Sequence, residues 1–318
     1  MKAFVGVTDA DWYRNLSAPS LVRDEVNFWF PSAGTGFNAV SRGELFVFKT
    51  HVDRGSSLGN RLVGVGTFAG YARLRVSEAW EFFGEGNGVG SEAEFRERIR
   101  RYRRDQWGPF EDPEVGCAVL NNAIFYSVDD LLTPPDDFAS SVVRGKVYEV
   151  DDLPVEHPVS MAVTDYFAAQ PIETLHAAGW RLEGGTHGLP RMTIPRVGQQ
   201  SFKAVISENY GHRCALTGDK VRPVLEAAHI RSVQSGGEHR SDNGMLLRSD
   251  MHTLFDRGYI SFDDRFRLRV SPALRERFGN GDWLYAREGT PINVPVRPVD
   301  RPAKEFLEWH NETVFVGG

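Results

Sequence analysis

Three short segments in the carboxy-terminal third of the chain constrain its fold more than any other feature. They are LEAAHI at 225–230, DNGMLL at 242–247 and SDMHTLFDRG at 249–258. The first predicts an apolar strand that carries His229 at its end, and the Asn243-Gly244 pair predicts a tight turn into a second short strand. Ser249 is a typical N-cap residue and Gly258 a typical helix stop, so a helix is expected to follow directly.

This predicted strand, strand, helix unit can hold a metal-dependent hydrolytic site. His252 and Asp256 are four residues apart on the helix, so their side chains share one face with Cβ atoms roughly 5 to 6 Å apart. A mixed imidazole and carboxylate pair suits Mg²⁺, Mn²⁺ or Zn²⁺. His229, neutral near pH 7, can take a proton from water, as phosphodiester hydrolysis requires. Each residue alone has an ordinary structural explanation, but the combination in this order favours a nuclease.

From residue 195 to 316 the chain resembles bacterial HNH endonucleases of the kind found in modification-dependent restriction. The resemblance is carried by PRVGQQSFKAVISENYGHRCALTG, LEAAHIRSVQSGGEHRSDNGMLLRSDMHTLFDRGYISF and FLEWHNETVF. It implies a ββα-metal fold that uses one divalent metal ion, Mg²⁺ or Mn²⁺ foremost and Zn²⁺ as an alternative. It further implies His229 as general base, Asn243 as the residue that orients the base and braces the loop, and His252 as a metal ligand.

The sequence departs from that family pattern at two places. Many HNH nucleases carry an Asp or His ligand immediately before the base, where this chain has Ala228. Asp256, Glu226 or water are the alternatives for the missing ligand. Many relatives also carry two Cys pairs around a structural zinc. Here Cys214 stands alone, with Gly218 where a partner would be and the other cysteine, Cys117, far away, so we expect no structural zinc.

The composition is that of an ordinary protein of two domains. With 318 residues the chain exceeds the size at which single cores usually stop growing. Hydrophobic residues at 41% and charged residues at 25% indicate neither wholesale disorder nor a membrane protein. No apolar run approaches the roughly 18 residues of a spanning helix, so we expect a cytoplasmic protein without membrane contact. The net charge of -6 argues against indiscriminate polyanion binding but permits local phosphate-binding patches.

The amino-terminal half predicts a small, mostly β domain, and therefore an α+β chain overall. Its strands are expected at 4–7, 26–30, 44–49, 62–68 and 116–120, and its helices at 8–16 and 91–106. A further helix is expected at 165–180, followed by a Gly- and Pro-rich linker at about 184–198. The predicted domains are 1–150, a helical connector and linker at 151–194, and the nuclease domain at 195–318.

A nuclease hairpin contacts mainly phosphates, which carry little sequence information, so specificity requires a separate reader. The run from VNFWFPS through LFVFKT to LVGVGTF resembles the PUA-like superfamily of EVE, ASCH, YTH and SRA-type modified-base readers. That resemblance implies a curved sheet or barrel that extrudes one nucleotide into an aromatic pocket. The pocket candidates are Trp12, Asn27, Trp29 and Trp80, and packing in the core is the alternative for each of them.

Two groups of basic residues are candidates for contacts to the DNA backbone. The first is the helix at 91–106, which carries Arg96, Arg98, Arg100, Arg101, Arg103 and Arg104. One possibility is that these arginines form a solvated face paired with Glu92, Glu94 and Glu97. The alternative is that unpaired arginines bind the phosphate backbone. The second group is expected near the cleavage site and comprises Arg196, Lys203, Arg213, Arg231 and Arg248.

The leading functional hypothesis is a modification-dependent DNA endonuclease of phage defence, acting on double-stranded DNA with altered cytosines. The alternatives are an HNH nuclease on RNA or unmodified DNA, such as a toxin or repair enzyme, and a nucleic-acid-binding protein whose site is degenerate because Ala228 replaces a ligand. Double-strand cutting by one site per chain favours a homodimer.

Overall fold

The computed structural model describes residues 1–18, 25–34, 36–103, 107–108, 110–170, 180–181, 191–192 and 198–317. Over these residues the fold is α+β, as predicted. The chain divides into two compact units, Met1–Ala204 (unit 1) and Val205–Gly318 (unit 2). Most of the predicted linker at 184–198 lies outside the described residues. No helix in the described ranges has the length and apolar character needed to span a bilayer.

Unit 1 is built on a six-stranded sheet. Its strands are β1 (Lys2–Thr8), β2 (Glu25–Phe30), β3 (Leu45–Thr50), β4 (Leu62–Arg75), β5 (Glu114–Phe125) and β6 (Gly145–Glu149). They lie in the order β2-β5-β4-β3-β1-β6, in which β1 and β3 are parallel and every other pair is antiparallel. The five predicted strands are confirmed, whereas β6 and the full lengths of β4 and β5 were missed. Among the described residues the sheet does not close, so the barrel form of the PUA-like prediction is not found.

Both faces of this sheet are buried, because residues along β3 alternate between two apolar cores. Leu45 and Val47 face one core, and Phe46 and Phe48 face the other. The helices of unit 1 are α1 (Ala10–Leu16), α2 (Val76–Phe83), α3 (Glu92–Tyr102) and α4 (Pro158–Ala169), and α5 (Gln199–Asn209) crosses the unit boundary. Helix α1 packs on the Phe46 face through Trp12, and α4 packs on the Leu45 face through Tyr166. Each fully buried side chain of this size contributes roughly 1.5 to 3 kcal/mol.

Helix α4 differs from its prediction in both position and role. It starts at Pro158, after the His157 side chain accepts the N–H of Val159, and it ends at Ala169. Most of the remaining predicted helix, up to residue 180, falls outside the described residues. Although α4 lies in the predicted connector, its buried residues belong to the core of unit 1.

Unit 2 contains the predicted strand, strand, helix arrangement and a short second hairpin. Its elements are β9 (Leu225–His229), β10 (Gly244–Arg248), α6 (Ser249–Asp256), β11 (Ile260–Phe262), β12 (Leu268–Val270), α7 (Pro272–Phe278), α8 (Asp282–Tyr285) and α9 (Lys304–Thr313). The remaining strands, β7 (Trp180–Arg181) and β8 (Arg191–Met192), pair with each other in unit 1. Helices α7 and α8 were not predicted, because both are short and begin within turn-rich sequence.

The ends of α6 and β10 differ from the prediction in detail. Gly258 has the expected left-handed conformation, with φ of 71°, and donates its N–H to Phe255. The N-cap, however, is Arg248 without a side-chain cap, so the predicted cap at Ser249 is wrong. Gly244 is extended at φ of -141°, and the turn into β10 is made one step earlier, by Ser241–Asn243.

Candidate active site

The β9/β10 hairpin and helix α6 bring the chemistry-bearing residues of unit 2 together. His229 at the end of β9 is opposite Gly244 at the start of β10, and Glu226 is opposite Leu247. Helix α6 begins directly after β10, so the helix returns towards the hairpin that precedes it. This local connection places His252 of α6 beside Glu226 of β9.

His252 lies between two carboxylates. Its Nδ1 is 2.7 Å from Oε2 of Glu226, and its Nε2 is 3.4 Å from Oδ2 of Asp256. The helix spacing therefore predicted the His252–Asp256 contact correctly, and Glu226, one of the alternatives for the missing ligand, reaches the same imidazole. Burial raises the pKa of Asp256, an effect that His252 opposes and the Glu226 carboxylate increases.

His229 makes a contact that was not predicted from the sequence. Its Nε2 is 3.0 Å from Nδ1 of His239, with the two rings edge to face at a centroid distance of 4.9 Å. Burial, together with the neighbouring His239 and His252, lowers the pKa of His229 to about 4. The imidazole is therefore neutral near pH 7, the state in which one ring nitrogen can accept a proton.

Asn243 is fully buried and braces the loop between the two strands. Its Oδ1 accepts the backbone N–H of Arg231 at 2.9 Å, and its Nδ2 donates to the carbonyl oxygens of Arg231 at 3.0 Å and Glu238 at 2.8 Å. These bonds fix the backbone on both sides of the loop that carries His239. An amide side chain fits here because it provides a donor and an acceptor at the same point.

Helix α9 packs against α6 through His310. His310 stacks on Phe255 with centroids 3.8 Å apart and planes 5° apart, and its ring nitrogens contact Ser261 Oγ at 2.9 Å and the Phe255 carbonyl at 3.1 Å. Burial lowers the pKa of His310 to about 4. This histidine is structural, and nothing in the local spacing of the sequence singled it out.

Residues 214–263 match the family HNH_2, HNH endonuclease. This segment is an HNH endonuclease domain. It contains His229, Asn243, His252 and Asp256, so the predicted HNH resemblance is confirmed for the part of 195–316 that carries these residues.

The other comparisons are less informative. A solved structure, "Modification dependent TagI restriction endonuclease", aligns over 98% of this chain and 81% of its own, with 14% identity and a TM-score of 0.27. Both values are low, and no residue role is carried over from that protein. No curated protein matches this chain.

The donor atoms around His252 are suitable for a metal ion in kind. Within the described ranges, however, no group of three or more His, Cys, Asp or Glu side chains has the arrangement of a metal site. Glu226 and Asp256 instead contact the ring of His252 directly. Ala228, at the position where many HNH nucleases carry a ligand, is fully buried and pairs with Met245.

Cys214 has a structural role at the start of the HNH domain. It is a buried free thiol whose Sγ accepts the backbone N–H groups of Thr217 and Arg248, at 3.4 and 3.3 Å. Gly218, at φ of 72°, donates its N–H to the carbonyl of Cys214 and closes this turn. The turn is thereby attached to the residue from which α6 begins.

The predicted phosphate-binding residues of the nuclease half differ in whether their charged groups are already paired within the protein. Arg213 is exposed and, in the part of the chain that the structure describes, makes no ion pair. Arg231 donates to the Ser235 carbonyl and lies 5.4 Å from the ring of Trp309. Arg248 pairs with Asp250 at 2.6 Å and with Asp219 at 3.5 Å, and these carboxylates raise its pKa.

Two further phosphate candidates lie before the HNH segment. Lys203 is half-buried on α5 and has no ion pair among the described residues. Arg196 lies outside the described residues.

The basic helix α3 is largely neutralised by its own acidic residues. Arg96 pairs with Glu92 at 2.9 Å, Arg98 with Glu94 at 2.7 Å and Arg100 with Glu97 at 3.1 Å. The pairing with these three glutamates is therefore found for Arg96, Arg98 and Arg100, of which Arg98 is buried and does not belong to a solvated face.

The carboxyl end of this helix carries Arg101 and Arg103 among the described residues. Arg103 donates to the carbonyls of Pro31 and Glu114. Arg101 is exposed and, within the described ranges, has no ion pair. Arg104 lies outside the described residues.

Two of the four predicted base-pocket residues lie inside the core of unit 1. Trp12 has no exposed surface and contacts Phe28, Phe48 and Phe125 edge-on at 5.1 to 5.8 Å. A side chain at Gly88, where φ is 72°, would collide with the Trp12 ring. In this arrangement Trp12 has no free face for an extruded base.

Asn27, the amide proposed to read a base edge, is also fully buried. Its Nδ2 donates to Asn87 Oδ1 at 2.8 Å and lies 3.2 Å from the sulfur of Cys117. It therefore forms part of an internal polar cluster that ties β2 to β5 and to the turn after α2.

Trp29 and Trp80 are only partly buried. Trp29 donates its indole N–H to the Asn87 carbonyl at 3.0 Å, and its ring lies between Phe95, at 5.7 Å, and Tyr102, at 6.0 Å. Trp80 lies on α2. The pocket role of all four residues remains a prediction, for which Trp29 has the more favourable position because its neighbour Tyr102 is exposed.

Proposed function

We propose that the protein is a modification-dependent DNA endonuclease. Unit 2 hydrolyses phosphodiester bonds with one divalent metal ion, and unit 1 reads modified cytosine in double-stranded DNA by extruding the base. The observation that carries the proposal is the joint placement of His229, Asn243 and His252 on one hairpin and helix within the HNH segment. The PUA-like assignment of 1–150 is part of this proposal and is supported by the two-faced sheet with its aromatic core.

His229 is the general base in this mechanism. Because its pKa is about 4, it is a proton acceptor at neutral pH, and it takes the proton of the attacking water. Its Nε2 lies 3.0 Å from Nδ1 of His239 and donates to it in the tautomer that carries the proton on Nε2. His239 is thus a positioning residue, held by the loop that Asn243 braces.

The residues that would hold the metal are His252 and Asp256, with Glu226 replacing the ligand missing at Ala228. An imidazole with two carboxylates is a donor set that Mg²⁺, Mn²⁺ and Zn²⁺ accept. A bound cation supplies charge stabilisation at the scissile phosphate and the leaving oxygen. The exposed Arg213, together with Lys203 and Arg231, would contact the DNA backbone, and double-strand cutting by one site per chain favours a homodimer.

The test is cleavage by the full-length protein of otherwise identical DNA containing cytosine, 5-methylcytosine, 5-hydroxymethylcytosine or glucosylated 5-hydroxymethylcytosine. Mg²⁺ or Mn²⁺ is added, and a chelator is the control. Metal-dependent cutting confined to one or more modified substrates is the expected result. Equal cutting of unmodified DNA or of RNA would replace the proposal by an unspecific nuclease, and cutting of none would indicate a degenerate site.

A further inference from the structure

A cleft of about 410 Å³ opens in unit 1 at the carboxyl ends of β1 and β3. These strands are the parallel pair of the sheet, ending at Thr8 and Thr50. The segments that follow them, 9–14 and 51–59, form two sides of the cleft, and Tyr102 at the end of α3 forms a third. The carboxyl ends of parallel strands are common ligand sites, and this volume is within the usual range for small-ligand pockets. We call it the β1–β3 cleft.

Hydrogen bonds of the backbone hold the walls of the β1–β3 cleft in place. His51 donates its N–H to the carbonyl of Thr8 at 2.9 Å, which joins the two strand ends. The His51 carbonyl accepts the N–H of Asn60 at 2.8 Å, which closes the loop at its far end. The hydroxyl of Thr50 also bonds the Arg61 carbonyl at 3.3 Å. The cleft is therefore built on the sheet.

Two planar rings line this cleft. Tyr102 and His51 lie 18° from parallel with centroids 6.1 Å apart, and 41% of the Tyr102 surface is exposed. Behind Tyr102, Trp29 lies at 6.0 Å and packs in turn on Phe95. Trp29 therefore supports the exposed ring, and Tyr102 is the aromatic face that a ligand in the cleft can reach.

The lining of the cleft is rich in carboxylates. It contains Asp9, Asp11 and Asp53 and the guanidinium of Arg14, which is paired with Asp11 at 2.6 Å. Arg98 of α3 also pairs with Asp9 at 3.2 Å and with Asp11 at 3.8 Å, so Asp53 is the lining carboxylate that no ion pair among the described residues neutralises. Asp9 accepts the N–H of Trp12 through Oδ1, and Asp53 accepts the N–H of Gly55 through Oδ1. In the described part of the chain, the second oxygen of each of these two carboxylates has no hydrogen bond. They can accept from a ligand that presents N–H donors.

We propose that the β1–β3 cleft receives one extruded nucleobase with an exocyclic amino group, its ring against Tyr102 and its amino group donating to Asp53. The inference rests on the proposed reader function of unit 1 and names the residues of its pocket. Cytosine and adenine carry such an amino group, whereas thymine has a carbonyl oxygen in its place, which the carboxylates repel. Burial lowers the pKa of His51, which leaves a neutral imidazole able to donate to a ring nitrogen.

The test is equilibrium binding of the full-length protein, in EDTA to prevent cleavage, to duplexes that differ at one central base. The duplexes carry cytosine, 5-methylcytosine, 5-hydroxymethylcytosine or thymine, each opposite guanine. The comparison of 5-methylcytosine with thymine tests the hydrogen-bonding edge, because both rings carry the same methyl group. 5-Methylcytosine has an amino group and a ring-nitrogen acceptor where thymine has a carbonyl oxygen and a ring N–H. The variants are Tyr102→Ala, Tyr102→Phe and Asp53→Asn, and the controls are Phe110→Ala, which removes a 99% exposed ring, and the exposed Asp136→Asn.

We expect wild type to prefer a modified cytosine over both cytosine and thymine. Tyr102→Ala should weaken binding to the preferred duplex about tenfold to a hundredfold, the loss typical of one base stacked on an aromatic ring, and leave binding to unmodified DNA unchanged. Tyr102→Phe and both controls should behave as wild type. Asp53→Asn should reduce the preference of the protein for 5-methylcytosine over thymine.

The outcomes separate this inference from the proposed function. A wild type that binds all four duplexes equally would overturn the reader function and the inference together. A wild type with a clear preference that persists in both Tyr102→Ala and Asp53→Asn would overturn the inference alone. Unfolding midpoints show whether Tyr102→Ala is folded. If it is not, Asp53→Asn decides, because the substitution is isosteric at an exposed site. Weaker Mg²⁺ binding by Asp53→Asn with an unchanged base preference would identify a cation site and contradict the proposal.

Discussion

The two candidate sites of this protein are assembled in different ways. The HNH site is drawn from residues 226–256, on two paired strands and the helix that follows them. In the β1–β3 cleft, the pairing of distant strands brings together segments that begin at Asp9 and His51, and Tyr102 of helix α3 lies beside them. The residues of a site of the first kind have a regular spacing that can be recognised in the sequence. A site of the second kind depends on tertiary contacts and has no such spacing.

The two units also use aromatic residues differently. In unit 1 most rings fill the core, and Trp12, Phe46 and Phe48 are completely buried. In unit 2 the ring of His310 stacks on the buried Phe255 of α6. An aromatic residue is consequently a weak indicator of a binding site in unit 1, while a histidine in the HNH hairpin is a strong indicator of function.

The largest effect is expected for His229→Ala, which tests whether the local motif is catalytic. Removing the proton acceptor should lower the cleavage rate by about 10² to 10⁴, the usual contribution of general-base catalysis. DNA binding in EDTA and the unfolding midpoint should stay close to wild type, since the phosphate contacts are untouched. Initial rates on the preferred substrate measure the effect, and a rate within a few-fold of wild type would show that His229 is not the base.

The next effect concerns the other side of the comparison, the buried ring of Trp12. Trp12→Ala should lower the free energy of unfolding by about 3 to 5 kcal/mol, because it leaves a cavity against Phe28, Phe48 and Phe125. Trp29→Ala should cost less, since that ring is only partly buried. Urea unfolding of both variants gives the two values. If Trp12→Ala is as stable as wild type but no longer distinguishes modified DNA, the ring belongs to the pocket after all.

Much of the HNH domain could be predicted because its signals are local. A short apolar run gave β9, and the expected turn at Asn243-Gly244 gave β10. Helix spacing gave the His252–Asp256 contact, and Gly258 gave the end of α6. The His229–His239 contact was missed because the loop that carries His239 has no regular period, and its path is set by the buried Asn243.

The amino-terminal prediction was reliable for elements and weak for the site. Strand patterns located five of the six strands, but a two-faced sheet makes both alternating sets of side chains apolar, so no open face can be recognised in the sequence. The sequence therefore could not distinguish the buried Trp12 and Asn27 from exposed side chains that can contact a base. His51 and Tyr102 were missed because they are distant in the sequence. The parallel pairing of β1 and β3 brings His51 to the end of β1, and the ion pair of Arg98 with Asp9 holds α3, which carries Tyr102, at the same edge.

Measurements of metal affinity test which side chains coordinate the ion in the HNH site. His252→Ala and Asp256→Ala should each weaken Mn²⁺ binding at least about tenfold, the loss that removal of even an outer partner of a ligand produces. Glu226→Gln should do the same if Glu226 replaces the ligand missing at Ala228. Calorimetric titration of the metal-free protein measures each affinity, with Asp264→Asn as the control, an exposed carboxylate paired with Lys304. Unchanged affinity in Asp256→Ala or Glu226→Gln would remove that residue from the coordination sphere.

The smallest effect, counted for each pH unit, is a pH dependence of the folding stability. It comes from His310, which is buried against Phe255 of α6. The pKa of His310 is about 4 in the folded chain, against an ordinary value of 6.5, because burial disfavours its charged form. Between these values the unfolded chain binds a proton that the folded chain does not, so stability falls as pH drops from about 6.5 to about 4. The loss approaches about 1.4 kcal/mol for each pH unit within that window.

His310→Gln removes this titration and provides the matched comparison for the pH dependence. The variant should be less stable than wild type at pH 7, because the stack on Phe255 and one of the two polar contacts, to Ser261 or to the Phe255 carbonyl, are lost. Its stability should nevertheless decline less steeply between pH 6.5 and 4, so the two curves converge as the pH falls. Denaturant unfolding at intervals of half a pH unit measures both slopes. Parallel curves would mean that His310 takes up its proton in the folded state as readily as in the unfolded one, and that the acid sensitivity of unit 2 comes from other groups, of which His229, with its equally low pKa, is the first to test.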